Sequence, residues 1–281
     1  MIENLIFLAA PITACVLLAG ILGYFGNHIL SRGIIFIDIA LAQIVALGTM
    51  IGLLFGFAEG SVAVQIVTLI FTLIIVIFFA LTKFEKQLIP QEAIIGIIYG
   101  LGLGIATLFA EYIPRGSNYI TKTITGNILW CTWDEIIFAF LLFVAIGIVH
   151  IFLGKNFIKI TDANDKFPFS PQKVRMMEVI FYITFGIVVA KAVPIAGIFL
   201  VFILLIAPTS IATIFTSQWK WRFIWSWIIG ILLSVVGMLI SYQLDISNGP
   251  TIVCLMGISV FILAFAKIIL GKKKALAKVT D

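Results

Sequence analysis

The chain has 281 residues, of which 62% are hydrophobic and only 11% charged, and its mean hydropathy is +1.23. A soluble domain of this length cannot hide that much apolar surface in one core, so composition excludes a soluble enzyme and predicts a polytopic membrane protein. The net charge of +5 then reflects how the chain is oriented in a bilayer rather than binding to nucleic acid, because no basic run is interleaved with a soluble fold.

Apolar runs occupy Leu5–Phe25, Gly33–Phe57, Ser61–Thr82, Ala93–Tyr112, Ile136–Leu153, Met176–Ala190, Ile195–Phe215, Phe223–Tyr242 and Thr251–Ile269. Most reach the roughly 20 residues a helix needs to cross the hydrocarbon core. The expected fold is all-α, with eight or nine transmembrane helices in a single membrane domain over 1–281 and no soluble domain. Crossing the chain alternately puts 15 of its 18 Lys and Arg residues on one side, leaving Arg115, Lys122 and Lys191 on the other. Cytoplasmic segments collect such residues, so the amino terminus is expected outside and the lysine-rich tail, 271–281, in the cytoplasm. Lys272, Lys273 and Lys274 in that tail suit anionic lipid headgroups. Leu5–Phe25 lacks a preceding basic region and carries Glu3 instead, which does not read as a cleavable signal peptide. The choice between eight and nine spans rests on Met176–Ala190, which is short and reads as a tilted span or a partial helix ahead of a turn at Lys191–Pro194.

In chain order, the first ionisable residue at membrane depth is Asp38, with Gln43 five residues later. That spacing leaves them about 140° apart around a helix, so both can border a lumen without sharing a narrow stripe. A carboxylate in a span is a functional candidate by default; the alternative for Asp38 is a capping or inter-helix hydrogen bond, and Gln43 suits an inter-helix bond equally. Glu92 follows Pro90 and complements the start of its helix, as Glu178 does one turn into its own. Gly96, Gly100 and Gly104 recur every four residues and predict a face that another helix approaches closely. The segment 155–175 is the sizeable polar stretch on the inner side, broken by Pro168 and Pro171; Asp162, Asp165, Phe167 and Phe169 are its candidate contacts for a partner. Lys191 is placed to snorkel to the outer interface, and Pro208 is expected to kink its helix. Asp245 falls in the last outer turn, where solvent satisfies it. His28 and His150 are far apart in sequence and Cys15, Cys131 and Cys254 are scattered, so no closed tetrahedral zinc site and no disulfide framework is expected. No P-loop, HExxH or GxSxG pattern occurs, so the chain is expected not to be an enzyme, to bind no cofactor and to have no catalytic residue of its own.

Four segments together resemble the integral membrane permease of the zinc/manganese/iron(II) ABC importer family: FIDIALAQIVALG, GNILWCTWDEI, AVPIAGIFLVFILLIAPTSIATIF and SYQLDISNGPTIV. They occur in the family's order and span about Ile21 to Phe265, with Pro208 at the family's proline and Asp245, Gly249 and Pro250 matching its closing turn. Aligning the Leu-Ala pair puts Gln43 where the family has its pore histidine and Ile39 where it has an aspartate, with Asp38 displaced by one residue. An amide keeps a neutral oxygen donor but removes a good zinc ligand, so the substrate implied is a divalent metal (zinc, manganese or iron), with a chelated or non-metal substrate as the alternative. The usual small-residue helix of the inner loop is replaced by residues around Phe167–Pro171. The resemblance implies a homodimer around one pathway, a cytoplasmic subunit that uses ATP, an extracytoplasmic binding protein and a location in the cell membrane. A gradient-driven secondary transporter or channel is the competing class; it predicts inverted repeats, and none is visible in the sequence.

Overall fold

A computed structural model describes residues 2–82, 89–114, 116–126, 128–163 and 169–280, with the side chains of 2–6, 82 and 270–280 left aside. Asp165 and Phe167 lie outside the described residues. Lipid offers the backbone no hydrogen-bonding partner, so an apolar chain of this kind satisfies its amides within helices. Those helices are α1 (Ile2–Arg32), α2 (Ile37–Leu54), α3 (Val62–Thr82), α4 (Gln91–Ala110), the short α5 (Gly116–Thr125), α6 (Trp133–Thr161), α7 (Pro171–Ala196), α8 (Ile198–Phe215), α9 (Trp219–Leu244) and α10 (Asn248–Thr280). Among the described residues, nine of them are long and apolar enough to cross a membrane, all except α5.

The short run that left eight spans possible belongs to a 26-residue helix. Pro171 occupies its first turn, where a missing N–H costs nothing, so the polar residues Gln172, Lys173 and Arg175 are helical rather than loop. Pro194 lies in its last turn, not in a connecting loop. The break between α7 and α8 is one residue, Gly197, with φ +80°. A side chain there would overlap the backbone at Gly126, and one at Gly126 (φ +77°) would overlap the carbonyl of Ala196. Two glycines therefore let the end of α5 press backbone to backbone against the α7–α8 break.

The most buried helices are α1, α2, α7 and α8. Helices α2, α3 and α4 pack together on one flank and α1, α8, α9 and α10 on the other, with α7 joining them through α3. The segments assigned by charge to one side meet at one end of this bundle. There the end of α1 touches α6, α7 and α9, Asp162 bonds Trp219, and Lys267 bonds Ile214. The segments assigned to the other side meet at the opposite end, where Lys122 pairs with Glu59 at 3.2 Å. Asp245 is there too, exposed and left-handed (φ 52°) at the end of α9.

One expected contact face has no neighbour within the protomer. Gly96, Gly100 and Gly104 do face one way, but nothing lies within 4 Å of a side chain added at any of them. Helix α4 instead buries Gly102, Ala106 and Ala110, a row two residues and so about 200° away. Helix α2 approaches at Gly102, where an added Cβ would stand 3.1 Å from Cβ of Gln43. Burial on the two sides of α4 chose the face; the glycine spacing did not. Helix α8 stays helical through Pro208, whose missing N–H leaves the preceding turn one hydrogen bond short.

Candidate functional site

Three polar side chains on α1, Tyr24, His28 and Arg32, are spaced by four residues and so share one face. That face is buried against α6, α7 and α9 and is bonded at every position. Arg32 donates from Nη1 to Glu178 Oε2 at 2.7 Å and from Nε to Thr161 Oγ1 at 3.1 Å, and its guanidinium lies 4.0 Å from the Phe181 ring centre. Both partners of the ion pair are out of solvent, with side-chain exposures of 3% and 0%. The same Thr161 Oγ1 lies 2.9 Å from His28 Nδ1, so one hydroxyl joins both α1 side chains to the end of α6.

His150 is tied into the same cluster. Thr184 donates its single proton to backbone carbonyls on α7, so His150 Nε2 donates to Thr184 Oγ1 at 2.7 Å. Nδ1 then accepts from Tyr24 Oη at 2.9 Å. Phe25 and Phe181 lie against both histidines or bridge between them, and Trp219 packs on His28 with ring centres 4.9 Å apart. The two histidines thus belong to one buried cluster, joined through side chains far apart in sequence. Glu178, expected to complement its helix start, is instead the buried counter-ion of Arg32. The signal for this cluster was the four-residue spacing on α1; its partners on α6 and α7 carried none.

The candidate coupling segment begins at this cluster. Asp162 ends α6, and its Oδ2 accepts the Trp219 indole N–H at 2.8 Å. Phe169 lies between two lysines, with Lys173 Nζ 4.4 Å and Lys159 Nζ 6.0 Å from its ring centre. Arg222 reaches back to Ser31 at 3.1 Å. The ends of α1, α6, α7 and α9 are therefore tied together where the polar segment leaves the bundle.

Asp38 and Gln43 both point into the protomer. Asp38 is in the first turn of α2 and is 1% exposed, and its Oδ1 makes no hydrogen bond. Close by, Glu92 accepts the Ile35 amide at 3.2 Å, holding the start of α4 against the α1–α2 connection. Gln43 is 5% exposed and sits against α4 at Gly102. Among the described residues, no three His, Cys, Asp or Glu side chains converge into a group that could hold a metal ion. A buried carboxylate oxygen without a partner is costly in this setting and calls for a cation or a proton. At the opposite end, Lys191 Nζ rests 4.9 Å from the Phe138 ring centre, at the head of α6.

The sequence that builds this arrangement matches the model of the ABC 3 transport family over residues 4–268. The chain belongs to that family. Among curated relatives, a "probable metal transport system membrane protein" of Chlamydia trachomatis is 24% identical over 59% of this chain and 57% of its own length. The "manganese transport system membrane protein MntB" of Synechocystis is 24% identical over 61% of this chain and 56% of its own. The chain thus spans less than two thirds of the length of these relatives of the ABC 3 family. Among solved structures, "PsaBC from Streptococcus pneumoniae in complex with Fab" superposes with a TM-score of 0.74 at 19% identity, covering 94% of this chain and 95% of that one. At that identity the likeness is one of fold, and it extends over nearly the whole ABC 3 bundle described above.

Proposed function

We propose that this ABC 3 family chain is the permease half of an ATP-binding cassette importer for divalent metal ions. On this reading it works as a homodimer with a cytoplasmic subunit that uses ATP and an extracytoplasmic binding protein that delivers the substrate. The observation that carries the reading is the Asp38 carboxylate, buried in the first turn of α2 with one oxygen unpartnered. A weak, sparse site of that kind suits a path that must release its cargo. Metal transport in the names of relatives supports the substrate class. Gln43 beside α4 supplies an amide oxygen rather than imidazole, which favours manganese or iron(II), or a chelated ion, over zinc. The distribution of Lys and Arg supports a cytoplasmic basic end and, with it, an amino terminus outside the cell membrane. The segment 155–175 at that end is the contact for the ATP-using subunit, reached through Asp162 and Phe169.

The test is uptake of radiolabelled manganese and zinc into proteoliposomes holding the chain with its ATP-using and binding subunits. Asp38→Asn preserves shape and removes the charge. Uptake is expected to fall at least tenfold while the subunits still co-purify. Normal uptake by Asp38→Asn would remove the carboxylate from the path, and uptake that ignores ATP but follows an imposed ion gradient would favour a secondary transporter. A cysteine at Phe169 is expected to cross-link to the ATP-using subunit.

A further inference from the structure

Between α8, α9 and α10 lies an apolar groove of about 460 Å³, lined among others by Ile211, Trp225, Ile228, Leu232, Ile262 and Leu263. That volume falls within the roughly 300–1,000 Å³ of ordinary ligand sites. The groove lies on the outside of the bundle: Leu232 is 58% and Ile262 61% exposed, so in a bilayer its open side faces lipid. Ser259 is the polar residue in the lining, and its hydroxyl is already spent on the carbonyl of Leu255 at 2.7 Å. Nothing in the lining asks for water or a polar ligand.

The mouth of the groove is different. Phe215 closes it at the end of α8, and Lys267 reaches across from α10 to donate to the neighbouring Ile214 carbonyl at 2.6 Å. Lys267 stands four residues beyond Leu263, about one helical turn, so its ammonium lies just past the apolar lining. Lys220, five residues before Trp225 on α9, is exposed at the same end but about 140° around the helix from the groove face. Among the described residues neither lysine makes an ion pair. The nearby carboxylate, Asp162, is engaged by the Trp219 indole. Trp219, Trp221 and Trp225 give this end the aromatic composition of a membrane–water interface.

An apolar slot that opens to the bilayer and ends at an ammonium group without an ion-pair partner among the described residues matches one amphiphile. We propose that the groove holds an acyl chain of an anionic phospholipid, with the lipid phosphate at Lys267. Basic pockets between helices on the inner side of a membrane bind such headgroups, and here the hydrocarbon seat is built beside them. The lipid would fill the space between α8 and α10, the pair that carries Pro208 and the most lipid-exposed helix.

The test uses the full chain in detergent micelles, titrated with phosphatidylglycerol or phosphatidylcholine carrying brominated acyl chains, which quench tryptophan on contact. Phosphatidylglycerol is expected to quench at concentrations about tenfold lower than phosphatidylcholine, and Trp225→Phe to remove most of the saturable quenching. Lys267→Ala should weaken phosphatidylglycerol about five-fold, the effect of one surface lysine, and leave phosphatidylcholine unchanged; Lys122→Ala at the opposite end should change neither. Ser259→Trp, which fills the groove from its floor, should abolish saturable quenching by both lipids; if that variant fails to fold, Lys267→Ala and Trp225→Phe decide the matter alone. Equal quenching by both lipids, or no change in Lys267→Ala, would overturn the proposal. So would efficient disulfide formation between Ile262→Cys residues of two copies, because the groove would then be covered by a second protomer.

Discussion

Breaking the buried pair between Arg32 and Glu178 is the sharpest test of how the basic end is held together. At 2.7 Å, two unit charges attract by about 6 kcal/mol at an effective dielectric of ~20; desolvation of both groups offsets most of this. Removing Glu178 leaves the desolvation cost of Arg32 in place with nothing to offset it, because that charge stays buried, so Glu178→Ala is expected to cost about 3–5 kcal/mol. The lower half of that range is favoured here. Arg32 keeps its bond to Thr161 and its position over Phe181, and a desolvated cation–π contact retains up to about 2 kcal/mol. Replacing both residues with apolar ones of similar volume, Arg32→Met with Glu178→Leu, removes the uncompensated charge and should return most of the stability. Reversible unfolding in mixed micelles, titrated with a denaturing detergent, gives the four free energies of a double-mutant cycle over the unaltered chain, Arg32→Met, Glu178→Leu and the pair. The cycle is needed because Glu178 has other neighbours besides Arg32. A loss below about 1 kcal/mol in Glu178→Ala, or a double variant no more stable than the single one, would refute the reasoning.

Gln43→His should strengthen zinc binding measured by calorimetry and slow zinc release during uptake, since imidazole replaces an amide at the α2–α4 contact; unchanged metal preference would leave Gln43 a packing residue. Gly26→Ala should destabilise the protein by at least about 1–3 kcal/mol, because the new methyl group would overlap the Leu205 carbonyl and stand 2.8 Å from Thr209 Oγ1. Gly100→Ala, with nothing within 4 Å, should leave the unfolding midpoint of the single protomer unchanged or slightly raised. Cys131 lies at the end opposite the basic one, where burial, with help from the Glu135 carboxylate, pushes its thiol up to about 11. Only the thiolate reacts, so labelling by a membrane-impermeant maleimide should be slow at pH 7 and rise roughly tenfold per pH unit up to about pH 10. A rate flat across that range would contradict the shift, and labelling confined to the inside of oriented cells would contradict the topology.

Much of this protein could be read from composition and order along the chain. Apolar runs of about 20 residues have one stable outcome in lipid, and the lysines and arginines sorted the connections into two sets that meet at opposite ends of the bundle. Asp38 stood out because a carboxylate inside an apolar run is rare, whatever surrounds it. The packing could not be read so directly. A span hydrophobic all round gives no sign of which side meets protein and which meets lipid, so Gly96, Gly100 and Gly104 suggested a contact face, and within the protomer Gly102 formed one. Charges near span ends were equally ambiguous: Glu178 has the same local setting as Glu92, yet one is buried against Arg32 and the other accepts the amide of Ile35. Sequence determined which segments enter the membrane and which end each connection joins, because those depend on transfer free energies summed locally. Only the tertiary structure decided which polar groups find partners, because a buried hydrogen bond or ion pair is a property of two surfaces brought together from distant parts of the chain.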